Sequence, residues 1–110
     1  MSDTENCIEL LKKIEKENYF AQKTIDGFWW AFSNYRLEDP TEYRNIFGDE
    51  DATVNLDDMR FSLVLHEQPL DFHAYFTVYF NIYFKNKQIG YYKMIFSLDG
   101  GVDDDVLYFD

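Results

Sequence analysis

The sequence predicts an α+β fold in which N-terminal helices pack on one face of a four-stranded antiparallel meander sheet. Three observations carry this. Residues 1–58 hold helix start and stop signals with apolar side chains three and four apart. Residues 59–110 switch to a period of two, the mark of half-buried strands. Finally, 9 Tyr, 11 Phe and 2 Trp in 110 residues can fill a core without disulfides or metals. One domain is expected, a helical and loop part over 1–58 followed by the sheet over 59–110.

The first helix opens near Ser2 and Thr4, both capping types, and Ser2 with Glu5 has capping-box spacing. Cys7, Leu11, Ile14 and Asn18 form one stripe, so Cys7 is expected to pack rather than react. After Asp26-Gly27, the spacing of Ile25, Trp29 and Phe32, and of Phe28 and Tyr35, predicts a short helix, although the residue types suit a strand equally well. Asp39 as cap, Pro40 in the first helical position and Gly48 as stop predict a further helix. Gly48 to Asp58 reads as irregular.

Four strands follow. Met59, Phe61, Leu63 and Leu65 alternate with Arg60, Ser62, Val64 and His66. Phe76, Val78, Phe80, Ile82 and Phe84 alternate with Tyr75, Thr77, Tyr79, Asn81 and Tyr83. Tyr92, Met94, Phe96 and Leu98 alternate with Tyr91, Lys93, Ile95 and Ser97, and a short strand, Val106 to Phe109, follows Gly100-Gly101. A three-residue loop, Asn86-Lys87-Gln88, would align Ile82 with Tyr92 and Phe80 with Met94, keeping Lys93 off the apolar face. It gathers Tyr75, Tyr79, Tyr83, Tyr91 and Lys93 on the opposite face.

Charge is unevenly spread. The chain carries a formal −11, of which residues 38–58 supply −7 and residues 97–110 supply −5, while residues 59–96 are net +2. This acidity argues against nucleic acid or a membrane surface as partner. One cysteine forms no internal disulfide, which suits a reducing compartment. Glu5, Glu9 and Glu15 interrupt any signal-peptide core, and the longest charge-free run, 72–84, is shorter than the roughly 18 residues a spanning helix needs. A soluble, cytoplasmic protein is expected.

In a meander, the connection near Glu67 and Asp71 lies at the same end as Asp99, Asp103, Asp104 and Asp105, with no lysine or arginine near in sequence. Asp49 to Asp58 would lie at the other end, beside Lys85 and Lys87. The plain role of such loops is solubility. The sharper role is a surface complementary to a strongly basic protein, where steering raises association rates about 10–1000-fold. Tyr75 and Tyr79 beside that acidic end would be its anchors, unless the helices cover them.

Catalytic signals are missing: the sequence has no glycine-rich phosphate loop, no zinc-type cysteine pair and no nucleophile with a plausible base. Asp49-Glu50-Asp51 and Asp103-Asp104-Asp105 look like calcium loops, but the first lacks the required glycine and has Arg60 at the bidentate position. His66 and His73 flank one connection and read as hydrogen-bonded bystanders. No enzyme activity and no cofactor are expected.

Ile89-Gly90-Tyr91-Tyr92, Ser97-Leu98-Asp99-Gly100, Asp103-Asp104-Asp105 and Leu107 before Phe109 resemble the tail of immunity proteins from bacterial contact-dependent growth-inhibition and related polymorphic toxin systems. The likeness covers residues 73–110. It implies a small cytoplasmic protein that binds one toxin domain, often a basic nuclease, and blocks its active site or substrate entry. The expected partner-binding set is Glu67, Asp71, Tyr75, Tyr79, Asp99, Asp103, Asp104 and Asp105, on a monomer or weak dimer. The alternative is a small-ligand-binding cone, since helices before a curved sheet resemble the nuclear-transport-factor-2-like architecture; Trp29, Trp30, Phe80 and Tyr92 would then line a cavity.

Overall fold

The computed structural model describes residues 2–48, 53–68 and 71–110. Three helices, α1 (Asp3–Asn18), α2 (Phe20–Glu38) and α3 (Pro40–Phe47), precede four strands. These are β1 (Val54–Gln68), β2 (Asp71–Phe84), β3 (Lys87–Ser97) and β4 (Val102–Phe109), antiparallel in the order β1-β2-β3-β4. The expected class and meander are therefore what the chain adopts. The aspartates and glutamate at 49–51 lie outside the described residues.

The helices begin and end for local reasons. The Ser2 hydroxyl caps α1 by accepting the Glu5 N–H at 3.2 Å. Tyr19, left-handed at φ 55°, separates α1 from α2. Gly48, at φ 84°, ends α3 and donates its N–H to the Arg44 carbonyl. Asp39 occupies the N-cap position of α3 but makes no side-chain capping bond.

α2 is longer than the sequence predicts, 19 residues running straight through Gly27. That glycine marks a close approach, not a break. A Cβ there would run into the Met94 side chain and come within 3.0 Å of the Tyr92 hydroxyl. α2 thus lies directly on the sheet, where Phe20 packs against Phe76 and Phe96 (ring centroids 5.0 and 4.1 Å) and Phe28 against Phe80 and Tyr92 (both 5.7 Å). Phe32, Tyr43 and Phe47 extend this core to α3. Cys7, expected to pack, is exposed, because α1 has no fully buried residue and packs on the core through Leu11 and Ile14.

Two strand expectations need correction. β1 starts at Val54, five residues before Met59, because a bulge between Asp57 and Arg60 adds one residue and inverts the inward set from even to odd positions. The β2–β3 turn is Lys85-Asn86, both at positive φ, and a second bulge accommodates an extra residue near Ile89. Phe80 therefore pairs with Tyr92 and Val78 with Met94, two residues from the expected register. A shift of two preserves the faces, so the phenylalanines still point inward and the tyrosines outward.

The hairpins differ in length. Ser97, the last residue of β3, pairs with Tyr75, yet the β1–β2 hairpin continues to the Gln68–Asp71 pair. It overhangs the rest of the sheet by about 13 Å at the usual rise per residue. The radius of gyration, 16.4 Å, exceeds the roughly 13 Å of a compact chain this size, and the overhang adds to this elongation. Among the described residues no helix is long and apolar enough to cross a membrane.

Candidate functional site

All three helices sit on the face of Phe76, Val78, Phe80, Tyr92 and Phe96. No described element packs on the other face. Its cross-strand rows run Val64–Tyr75–Ser97, Ser62–Thr77–Ile95–Asp104, Arg60–Tyr79–Lys93–Val106 and Asp57–Asn81–Tyr91–Tyr108. Alternation alone places these side chains together, since each strand sends its other set into the core.

A diagonal ladder crosses this face with one residue from each strand. The Arg60 guanidinium lies 5.1 Å from the Tyr79 ring centre; Tyr79 stacks on Tyr91 at 5.2 Å, and Tyr91 on Tyr108 at 5.2 Å. The interplanar angles of 28° and 29° are those of offset stacks. Each ring is held by its neighbour, so the ladder presents a row of preset aromatic edges with Lys93 beside it. Below it, the Asp58 carboxylate accepts hydrogen bonds from Asn81 at 3.2 Å and from the Tyr83 hydroxyl at 3.1 Å. That bond, first, and slight desolvation hold the Tyr83 pKa above the usual phenol value.

At the upper rim, Asp99 accepts from the Ser97 hydroxyl and from the Gly101 N–H at 3.1 Å. These bonds lower its pKa, the hydroxyl contributing most. Asp103 is the bulged residue of β4, and Asp104 faces the tyrosine side opposite Ile95. Asp105 turns to the other side, where its carboxylate accepts the Tyr92 hydroxyl at 2.7 Å. Tyr92 is fully buried, and burial first, then Asp105, pushes its pKa well up.

The predicted residues thus divide. Tyr75, Tyr79, Asp99, Asp103 and Asp104 border or occupy the uncovered face, while Asp105 serves the core. Glu67 and Asp71 lie at the same end of the sheet but not on the same rim. Glu67 pairs with Phe72, about 10 Å beyond Ser97 and two to three strand spacings, about 10–14 Å, to the side. Unequal hairpins cause this; the Asp71 side chain lies outside the described residues. Nor is the acidic turn without a cation: Lys23 of α2 donates to the Gly100 carbonyl at 3.2 Å. Arg60, Tyr91, Lys93 and Tyr108 belong to this face without being in the expected binding set, although the alternation already gathers Tyr91 and Lys93 there.

The residues expected to line a ligand cone do not meet. Phe80 and Tyr92 are sealed against Phe28, whereas Trp29 and Trp30 are exposed on α2, Trp30 by 70%. Among the described residues no group of three or more His, Cys, Asp or Glu is placed to hold a metal ion. The chain matches no protein-family model, no curated protein and no solved structure.

Proposed function

We propose that this chain is an immunity-type inhibitor, which binds and neutralises a cognate toxin domain, a basic nuclease, in the cytoplasm. The observation that supports it most is the uncovered face, where a self-stacked ladder of Tyr79, Tyr91 and Tyr108 lies open beside acidic rims. Pre-stacked tyrosines lose little conformational entropy on docking, which suits them as anchors. Asp99, Asp103 and Asp104 at one rim and Asp57 and Asp58 at the other steer a cationic surface toward them. Lys93 and Arg60 in the middle call for an acceptor or carboxylate at the centre of the partner's footprint. Glu67 forms an outlying contact on the overhanging hairpin, and Asp105 acts indirectly by fixing Tyr92.

The test is co-expression with the protein encoded immediately upstream, followed by binding kinetics on the purified pair. Growth rescue is expected, with Tyr79→Ala weakening affinity about 30-fold through dissociation, the scale of a hot-spot tyrosine. Lysine at 99, 103 and 104 should slow association and flatten its salt dependence. Absence of rescue, or a complex indifferent to both changes, overturns this reading.

A further inference from the structure

The two edges of the sheet are unlike. β4 is eight residues long, bulged, and carries Asp103, Asp104 and Asp105 along its edge, the usual protections against pairing with another strand. β1 is 15 residues long and, among the described residues, no strand other than β2 pairs with it, so its outer edge faces no strand. From Phe61 to His66 it holds no carboxylate. Its inward side chains there are poorly covered, with Phe61 39%, Leu63 41% and Leu65 66% exposed. Beside Phe61 a groove of about 260 Å³ opens toward α1, lined by Ile8, Leu11, Lys12, Glu15 and Lys16.

We propose that this edge pairs with the same edge of a second copy, antiparallel about a two-fold axis at Leu63. The reason for choosing a second copy is self-complementarity. With Leu63 opposite Leu63 of the other copy, Phe61 falls opposite Leu65 and Ser62 opposite Val64, so apolar meets apolar on the inward side. The most exposed of these side chains, Leu65, then arrives beside Phe61 and at the mouth of the groove edged by Ile8 and Leu11. The same contact is made twice, as a two-fold interface requires. Arg60 falls opposite His66, and no carboxylate opposes another within the paired stretch. Two sheets become one of eight strands, with both tyrosine faces on the same side and unobstructed. This dimer does not depend on the proposed toxin binding.

Sedimentation of the full chain across micromolar to several hundred micromolar concentrations tests it, together with two variants. The wild type is expected to dimerise, and more tightly at high salt, because two chains of −11 repel and salt screens that repulsion. Leu65→Glu, at a position exposed enough to keep the fold, should weaken the dimer at least tenfold with an unchanged circular-dichroism spectrum. In a Cys7→Ser background, Leu63→Cys should form a disulfide-linked dimer on mild oxidation, since directly opposed residues sit about 4.5–5.5 Å apart at Cα. Leu98→Cys, exposed on the β3–β4 turn, should not. A wild type that stays monomeric throughout overturns the proposal. So does a dimer that survives Leu65→Glu and leaves Leu63→Cys uncrosslinked, or one that Tyr91→Ala dissolves instead.

Discussion

The two faces of β2 differ by little more than an oxygen atom per aromatic ring, and that difference decides where the helices go. Inward, Phe76, Val78, Phe80 and Ile82 are fully buried; outward, the tyrosines Tyr75, Tyr79 and Tyr83 stay partly exposed. A phenol buried without a partner forfeits its hydrogen bonds to water, at about 1–3 kcal/mol, whereas a phenylalanine loses nothing. Helices packed on the tyrosine side would incur that cost at every second residue. Among the tyrosines of the sheet Tyr92 is the exception: it sits inside, and Asp105 accepts its hydroxyl. The uncovered face is therefore tyrosine-rich because it is wet, and available to a partner for the same reason.

The largest expected effect comes from breaking the covered face. Phe28→Ala removes a fully buried ring that touches Phe32, Phe80 and Tyr92. It should cost about 3–5 kcal/mol, a large share of the roughly 5–15 kcal/mol that holds a domain together. Tyr79→Ala on the other face should cost no more than about 1 kcal/mol, having no cavity to leave. Urea unfolding of both variants measures the contrast. Equal losses would mean that the ladder, and not the helix-covered core, carries the fold.

A middle-sized effect is expected where the faces exchange roles. Asp105→Ala leaves the Tyr92 hydroxyl buried and unpaired, costing about 1–3 kcal/mol. Adding Tyr92→Phe should restore most of that, because the orphaned group is gone. The pair also fixes the sign of a pH dependence. The folded pKa of Tyr92 is raised, by burial first and Asp105 second. Its contribution is thus fully present below the unfolded phenol value of about 10 and is lost as pH rises through the alkaline range. Urea midpoints that fall above pH 10 in the wild type, and fall less in Tyr92→Phe, would sharpen the assignment; identical slopes would refute it.

How much of this was legible follows from the same alternation. The fold class, the four strands and the membership of both faces come from a period of two, which survives a register error of two residues. What the period cannot report is a bulge. Val54 and Leu56 point inward from even positions and Met59 and Phe61 from odd ones, so the residue inserted near Asp58 makes continuous strand look irregular. Turn chemistry is only half legible, since Asn86 announces the turn but a lysine at positive φ does not show that it begins at Lys85. Gly27 reads as a breaker because sequence shows its flexibility and hides the Tyr92 and Met94 side chains it must clear. The shared acidic rim failed for a quantitative reason: which hairpins meet at an end is topology, but how far each extends depends on strand lengths that the bulges conceal. Lys23, contributed from a helix some 77 residues away in sequence, illustrates a neighbour no local reading supplies.

The smallest effect tests whether the surroundings, not the pair itself, make a tyrosine–aspartate contact matter. Tyr83 and Asp58 repeat the chemistry of Tyr92 and Asp105 on the uncovered face, at 3.1 Å against 2.7 Å. Here water replaces the lost partner and Asp58 keeps its bond from Asn81. Tyr83→Phe should therefore leave the urea midpoint at neutral pH where it was, although Asp58 raises the Tyr83 pKa just as Asp105 raises that of Tyr92. A phenolate titration by ultraviolet absorbance gives the second readout. Tyr83→Phe should remove from that curve one phenol whose titration the Asp58 carboxylate displaces upward. Should Tyr83→Phe destabilise the chain as much as Asp105→Ala, burial is not what separates the two faces, and the openness of the tyrosine side would need another cause.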